Sequence, residues 1–545
     1  MRLYHRTNHG FLQSIIFLLL FIVLCGCSQP KAIQALISVS VTADNKEYQL
    51  KLASGSTVQD ALKSSQITLT ELDKVKPELS AVLSNGERVK VTRVSEEYYI
   101  EQVIIPFEHQ ELINEALPEG ERRLSQPGVN GLKEITYRRV YEDGVKVSDT
   151  EVKSVVIKEA MPEVEMIGSR SMFTSFSVPG KLAYLAAGNA WIIEGNTGNR
   201  KLVVSTGDLD GRILSLSTDG KYLVFTRFSS AENKINTLSV ASLSDEPFKI
   251  FDLGVSNIVH FAGFNPTSST VAYSTVEWRE ASPGWQANND LYEIGINLNG
   301  QIGAPQLDLP SSSGGIYGWW GSEFSWAPDG LRLLDSRPES IGIFDKRDGS
   351  QNLIFNISPY QTDGNWAWVP GAAWSPDGNV VYAVNHVVSE TVGSGGLQEF
   401  DLVAIPLLGG SPVNLVKNVG MFAYPVTSPV TQTSSLTDIA TGESVPRTDF
   451  LVAYLQALTP EQSDTSTYQL FTLDRDGSNK KAIFPEAGAV GLTPQHIAWS
   501  PASLGDNGNY AIALVYNGNI WIIDAISGIA QQVTGDGLTT RIDWR

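Results

Sequence analysis

Trp374-Ser375-Pro376-Asp377-Gly378-Asn379-Val380-Val381-Tyr382 sets an aromatic residue, a tight turn and a second apolar run in direct succession. Glycine accepts positive φ and aspartate bonds its own backbone, so the Asp377-Gly378 pair specifies a reversal between two strands. The element recurs as Trp326-Ala327-Pro328-Asp329-Gly330 and Leu216-Ser217-Thr218-Asp219-Gly220. It returns in weaker form as Phe264-Asn265-Pro266, Thr427-Ser428-Pro429 and Trp499-Ser500-Pro501. Successive copies are 48, 62, 48, 53 and 72 residues apart, near the size of a four-stranded antiparallel unit with loop insertions. Such a repeat is the mark of a β-propeller.

The ends of this region explain how the ring would close. Gly180 to Leu185, Asn189 to Ile193 and Lys201 to Val204 supply three strands with no leading anchor strand, and Arg541-Ile542-Asp543-Trp544-Arg545 repeats the anchor pattern of Ile497-Ala498-Trp499-Ser500. One composite blade and six complete ones give seven over residues 178–545. Six or eight remain open, because the blade beginning near Tyr424 is poorly patterned. The repeat resembles the TolB-like, WD-repeat-related propellers.

Upstream, the alternation of Ile37 to Thr42, the turn Ala43-Asp44-Asn45 and the continuation through Tyr48, Leu50 and Leu52 predict a hairpin. Thr57 before Val58, Ala61 and Leu62 predicts a capped helix, and Asn85-Gly86 leads into a returning strand. Residues 36–94 therefore read as a β-grasp module. Residues 95–169 have little helical pattern, with strand-forming runs at 98–107, 134–142 and 145–159, the last two flanking Asp143-Gly144. A long, half-exposed sheet is expected. Leu117-Pro118-Glu119-Gly120, Pro127-Gly128-Val129-Asn130-Gly131, Ile135-Thr136-Tyr137 through Tyr141-Glu142-Asp143-Gly144, and Ile167-Gly168 resemble the five-glycine (G-five, G5) domain. The segment Ser54-Gly55-Ser56-Thr57-Val58-Gln59-Asp60-Ala61-Leu62 is similar to the module that accompanies that domain in resuscitation-promoting factor-type cell-wall proteins. The resemblance implies an extracellular protein with affinity for N-acetylglucosamine-containing cell-wall glycan.

The first residues carry Arg2, His5 and Arg6, then an apolar run from Phe11 to Leu24. That run is too short to cross a hydrocarbon core, which takes roughly 20 residues, and it has the layout of a signal peptide over 1–26. Leu24-Cys25-Gly26-Cys27 resembles the bacterial lipobox, which implies that Cys27 is acylated and that residues 27–35 form a tether to a membrane. Cys25 and Cys27 are the two cysteines, so the mature chain is expected to lack disulfides and free thiolates. A net charge of -19, which becomes -21 without the leader, disfavours nucleic acid as a partner.

No Gly-x-Ser-x-Gly elbow occurs, and the anchor pattern ends at the last residue, so an enzyme is not expected. His109, His260, His386 and His496 are widely separated, and neither a metal nor a cofactor is expected. The Asp-Gly pairs are expected to be turns and not calcium ligands. In an antiparallel blade, the connection between second and third strands and the connection to the next blade emerge on one face. Segments 277–289, 314–321, 363–370 and 387–398 occupy those positions and carry Trp278, Trp285, Tyr317, Trp319, Trp320, Trp366 and Trp368. Aromatic faces stack on sugar rings or anchor a protein partner. Trp285, Tyr317, Trp319, Trp320, Trp366 and Trp368 are accordingly the candidate binding residues, for a glycan or for an envelope protein. A propeller hydrolase or lyase is the alternative if carboxylates gather in the central cleft.

Overall fold

The computed structural model describes residues 35–114, 117, 119–169, 173–296, 301–362, 364–388, 398–437, 444–505 and 508–545. The leader and Cys27 lie outside them. Among the described residues no helix is long and apolar enough to cross a membrane. Among the described residues the protein is nearly all β, with one α-helix, and the chain divides into two compact units. One comprises Met1–Phe107 and Asn130–Ala160, the other Glu108–Val129 and Met161–Arg545.

In the first unit, Leu36–Ala43 pairs antiparallel with Lys46–Ala53 through the Asp44-Asn45 turn and parallel with Arg88–Thr92, which in turn pairs with Lys74–Lys76. Helix Val58–Ser64 begins at Thr57, whose hydroxyl accepts from the Asp60 amide while the Asp60 carboxylate accepts from the Thr57 amide at 2.8 Å. This reciprocal cap contributes about 1 kcal/mol. The helix buries Val58, Ala61 and Leu62 against Val39, Val41, Val89 and Val91.

The same unit holds a three-stranded sheet of Val94–Ile105, Gly131–Glu142 and Val145–Lys158, the last two joined by Asp143-Gly144, both at positive φ. Its apolar side chains are largely exposed, Ile100 and Ile104 at 63% each. A β-carbon on Gly131 would lie 2.6 Å from the Ala160 amide nitrogen and the Lys158 carbonyl oxygen, so backbone, not side chains, fills that position.

The division between the two units falls within residues 95–169. His109–Asn114, Glu163–Gly168 and Arg122–Gln126 form a separate small sheet in the second unit. Leu117 and Met166 share a core with Val178, Leu182, Tyr184, Trp191 and Trp544, and Ser205 Oγ donates to Gln126 Oε1 at 3.1 Å. Burial across long sequence separation ties these segments to the C-terminal region.

From Ser177 onward, among the described residues, seven antiparallel sheets of three or four strands follow one another, with two two-stranded sheets besides. Sheet one orders Asn189–Val204, Ser177–Ala186 and Thr539–Trp544, so the two ends of the region share one sheet. Asn189–Val204 forms one run of strand residues within which the chain doubles back, as Lys201 Nζ lies 3.3 Å from Glu194 and the Gly207 amide donates to Asn189 Oδ1 at 2.8 Å. Sheets two to seven begin with Leu209–Leu216, Ala262–Phe264, Glu323–Trp326, Ala372–Trp374, Val426–Thr427 and Ala498–Trp499. Apart from Ala262–Phe264 and Glu323–Trp326, successive first strands adjoin, and the first and last of them both adjoin Thr539–Trp544. Between sheets three and four the link is the Asn265 side-chain amide, which donates to the Gly330 carbonyl at 2.8 Å, and the Phe261–Phe324 ring contact. The anchor indoles bind neighbouring first strands: Trp374 Nε1 donates to Ser325 O at 3.1 Å and Trp499 Nε1 to Val426 O at 3.3 Å. The Asp-Gly pairs sit in turns. Ser375 Oγ donates to Asp377 and accepts from the Val380 amide, with Gly378 at φ 68°.

Candidate functional site

Trp285 lies on Trp285–Ala287, which pairs with Val276–Trp278 in a hairpin inserted between the second and third strands of sheet three. Trp278 and Trp285 face each other in register. Trp319 and Trp320 lie in the connection to sheet four, and the Ala287 amide donates to the Trp319 carbonyl at 3.0 Å. Alternating strand direction brings both segments to the side on which the first strands begin. There the Trp285 and Trp320 rings are 5.3 Å apart and Trp319 meets Trp320 edge-on at 5.8 Å. His260 packs against both Trp285 and Trp320, at 6.0 and 5.7 Å, and the Arg212 guanidinium of sheet two lies 5.1 Å from the Trp285 centroid. All three indoles are half-buried, with part of each ring open to solvent.

The remaining candidates are placed differently. Trp368 is 1% exposed, its Nε1 donates to Met421 O at 2.9 Å, and it meets Phe400 at 5.0 Å. It is a core residue of sheet five, which corrects its assignment to a binding face. Trp366 is half-buried against Phe422, 6.3 Å away. Tyr317 is half-buried, and its carbonyl accepts from the Trp320 amide at 2.9 Å. Trp278 is 40% exposed. Loop position reveals the side of a sheet on which a residue emerges, but not whether its side chain turns outward or back into the core.

A second constellation was not foreseen. Three residues before the anchors Trp544, Trp326, Thr427 and Trp499 stand Arg541, Glu323, Tyr424 and His496. Four before Leu216 and Phe264 stand Arg212 and His260. Offsets of three or four residues put one residue per sheet at or near the start of a first strand, around the axis those strands surround. Gly371 holds the equivalent place in sheet five, where a β-carbon would meet the Tyr424 ring at 3.0 Å. Tyr424 and His496 pack ring to ring at 4.4 Å. Arg541 Nη1 donates to the Gly211 and Arg212 carbonyls at 3.0 and 2.5 Å. The residue types vary from copy to copy, with arginine and histidine each occurring twice, so the signal lay in position and not in a motif.

His496 is exposed and Glu323 half-exposed, yet both are strongly desolvated. Burial lowers His496 to about 4, with the Arg541 charge adding to the effect, and burial raises Glu323 to about 7 against the opposing pull of Arg541. His260 is likewise lowered to about 4 by burial. A cavity of about 590 Å³ lies beside this axis, lined by Leu185, Gly188, Asp210, Gly211, Leu538 and Thr540 among others.

Among the described residues, one group of possible metal ligands lies within 4.8 Å of one another: His109, Glu111 and Glu165. Arg122 already neutralises its carboxylates, at 2.8 Å from Glu111 and 2.6 Å from Glu165, and His109 Nδ1 lies 2.9 Å from Glu163. His386 has both ring nitrogens engaged, by Ser358 O and Gln398 Oε1.

Residues 96–170 match the model of the G5 domain and residues 39–80 that of the G5-linked ubiquitin-like domain. The chain is 28% identical over 161 residues to resuscitation-promoting factor Rpf2 of Corynebacterium glutamicum, a match that covers 30% of this chain and 42% of that protein. Among solved structures, the G5 domain of an IgA1 protease is similar at 21% identity, with a TM-score of 0.12 over 15% of this chain and 94% of that one. The β-propeller domain of the Trilobed protease from Pyrococcus furiosus is similar at 13% identity, with a TM-score of 0.32 over 59% of this chain and 81% of that one.

Proposed function

We propose that this is a lipid-anchored, extracytoplasmic binding protein of the cell envelope. In this reading Cys27 carries the anchor, the ubiquitin-like and G5 segments contact cell-wall glycan, and a seven-bladed propeller presents an aromatic binding face. The G5 match and the likeness to a resuscitation-promoting factor support an envelope location and a wall-associated binding role. The observation that carries the binding face is the convergence of Trp285, Trp319 and Trp320 from two connections, with the Arg212 guanidinium against Trp285. Half-exposed indoles at an angle to one another offer ring faces and edges to a pyranose, and a neighbouring guanidinium supplies donors for its hydroxyl or carboxylate oxygens.

The test is retention of the full chain on insoluble peptidoglycan and on N-acetylglucosamine oligomers. Retention is expected to fall at least fivefold with the pair Trp319→Ala and Trp320→Ala. Equal retention by this double variant removes the indoles from the binding face, and failure of the unaltered chain to sediment with the wall removes the glycan reading altogether. A role in envelope assembly, with a protein as partner, takes its place if a defined envelope protein co-purifies and is lost in the same variant. We read the chain as a binder without turnover. Release of reducing ends or unsaturated sugar from wall glycan, abolished by Glu323→Gln, overturns that.

A further inference from the structure

The first strand of sheet two, Leu209–Leu216, is irregular where it starts. Leu209 opposes Arg227 and Leu214 opposes Phe225, so residues 210–213 stand opposite Thr226 alone as a bulge, with Gly211 at φ 74°. The bulge is pinned on both flanks. Thr226 Oγ1 donates to Asp210 and accepts from the Ile213 amide at 3.1 Å, and Asp210 also accepts from the Arg212 amide at 3.0 Å. From the other flank Arg541 Nη1 donates to the Gly211 and Arg212 carbonyls. Such bulges re-aim a side chain, and here the Arg212 guanidinium is carried over the Trp285 ring of sheet three, 5.1 Å from its centroid.

The donors of that guanidinium are unspent among the described residues. Its ion-pair contact is with Asp210 Oδ2, 3.8 Å from Nε and so past hydrogen-bond distance. Asp210, with its side chain 1% exposed, offers its oxygens to Thr226 Oγ1, Asn236 Nδ2 and the Arg212 amide. It balances part of the charge and leaves the N–H groups of Arg212 open. A planar fork of N–H donors matches the two oxygens of a carboxylate, whereas a sugar hydroxyl would leave its charge unused. On one flank of Arg212 stand the indoles of Trp285, Trp319 and Trp320. On the other, Asp210 and Gly211 line the cavity of about 590 Å³ together with Leu209 and Leu538. Indoles and cavity lie on the side where the first strands begin, which gives a saccharide room on both flanks of the guanidinium.

We propose that the saccharide taken by this face is acidic, its carboxylate held by the Arg212 fork while its ring lies on the indoles. The inference rests on the glycan reading of the indole face and narrows it to sugars that carry a carboxylate. Two sources share that chemistry, the lactyl ether acid of a wall amino sugar and the ring carboxylate of a uronic acid. They differ in the reach of the carboxylate from the ring.

The test is calorimetric titration of the full chain at pH 7.5 with four disaccharides: N-acetylglucosaminyl-N-acetylmuramic acid, its methyl ester, digalacturonic acid and N,N′-diacetylchitobiose. One of the two acids is expected to bind at least tenfold tighter than both uncharged compounds, and the tighter acid identifies the source. Arg212→Gln is expected to bring that acid within twofold of the uncharged compounds. Arg212→Lys, which keeps the charge and loses the fork, is expected to retain only part of the preference. The comparison within the unaltered chain needs no variant, so a substitution that fails to fold leaves the test intact. If neither acid binds tighter than the uncharged compounds, the proposal is overturned while the glycan reading stands. A tenfold preference that persists in Arg212→Gln also overturns it. No saturable binding of any of the four removes the glycan reading of this face, and the proposal with it.

Discussion

The indole of Trp320 stands 5.3 Å from that of Trp285 and 5.7 Å from the ring of His260, so one residue of an inter-sheet connection walls off a histidine of the preceding sheet. The low pKa of His260, about 4, is caused chiefly by burial, with the nearby Arg212 charge adding to it. Removing the wall must therefore change the titration. Trp320→Ala is expected to raise the His260 pKa by at least one unit towards 6.5, and Tyr317→Ala to leave it within a few tenths. Histidine-selective NMR across pH 3.5–7.5 reads this directly. An unmoved resonance in Trp320→Ala would mean that other groups bury the imidazole.

The axial groups give acid and base limbs of opposite sign. His260 and His496 are lowered to about 4, so an unfolded chain takes up their protons first, and stability is lost as pH falls from about 6.5 towards 4. Glu323 is raised to about 7, so the folded state holds a proton that the unfolded chain has released, and stability is lost as pH rises from 4.5 through 7. Glu323→Gln removes the second loss. Its thermal midpoint is expected to exceed that of the parent by ~2–5 °C at pH 8, with little difference at pH 4.5. A uniform shift at both pH values would assign the effect to packing and not to ionisation.

Trp366 and Trp368 stand two residues apart in one connection and are expected to respond differently. Trp368→Ala empties a site at 1% exposure and strands the Met421 carbonyl, at a cost of about 3–5 kcal/mol in unfolding free energy. Trp366→Ala removes a half-buried ring and should cost about half as much or less. Urea denaturation separates the two. Equal losses would contradict the assignment of Trp368 alone to the core.

Much of the fold was legible because its signals are local. The Asp143-Gly144 hairpin, the Thr57 cap and the Ser375-Asp377-Gly378 turn each involve residues within five positions of one another, and their hydrogen bonds follow from residue type. The division of residues 95–169 between two units was not legible. It depends on Leu117 and Met166 reaching a core built around Trp191 and Trp544, and no spacing within 95–169 encodes that partner. The candidate site was legible in part. Trp285, Trp319 and Trp320 converge, whereas Trp368 turns inward. The axial residues Arg541, Arg212, His260, Glu323, Tyr424 and His496 escaped notice because they stand three or four positions before their anchors and share no one chemistry.

Sheets one and seven contain the same local device, which allows a controlled test of backbone approach. Gly188 and Gly518 have φ of 72°, and a β-carbon on either would lie within 2.3 Å of a carbonyl oxygen, that of Gly207 or of Gly537. Gly207 and Gly537 have nearly the same φ, 69° and 71°, and open space where a β-carbon would go. Substitution by alanine at any of the four pays the left-handed penalty, about 1–2 kcal/mol. Only Gly188→Ala and Gly518→Ala add a collision with backbone that is itself pinned, since the Gly207 and Gly537 amides donate to Asn189 and Asn519 at 2.8 and 3.0 Å. Gly207→Ala and Gly537→Ala are therefore expected to fold with a modest loss. Gly188→Ala and Gly518→Ala are expected to lose at least 2 kcal/mol more, or to accumulate as insoluble protein. The backbone approach is the one variable that differs within each pair. Denaturation midpoints that sort by φ alone, with the four variants equal, would show that the sheet edges yield and that this contact does not hold them in place.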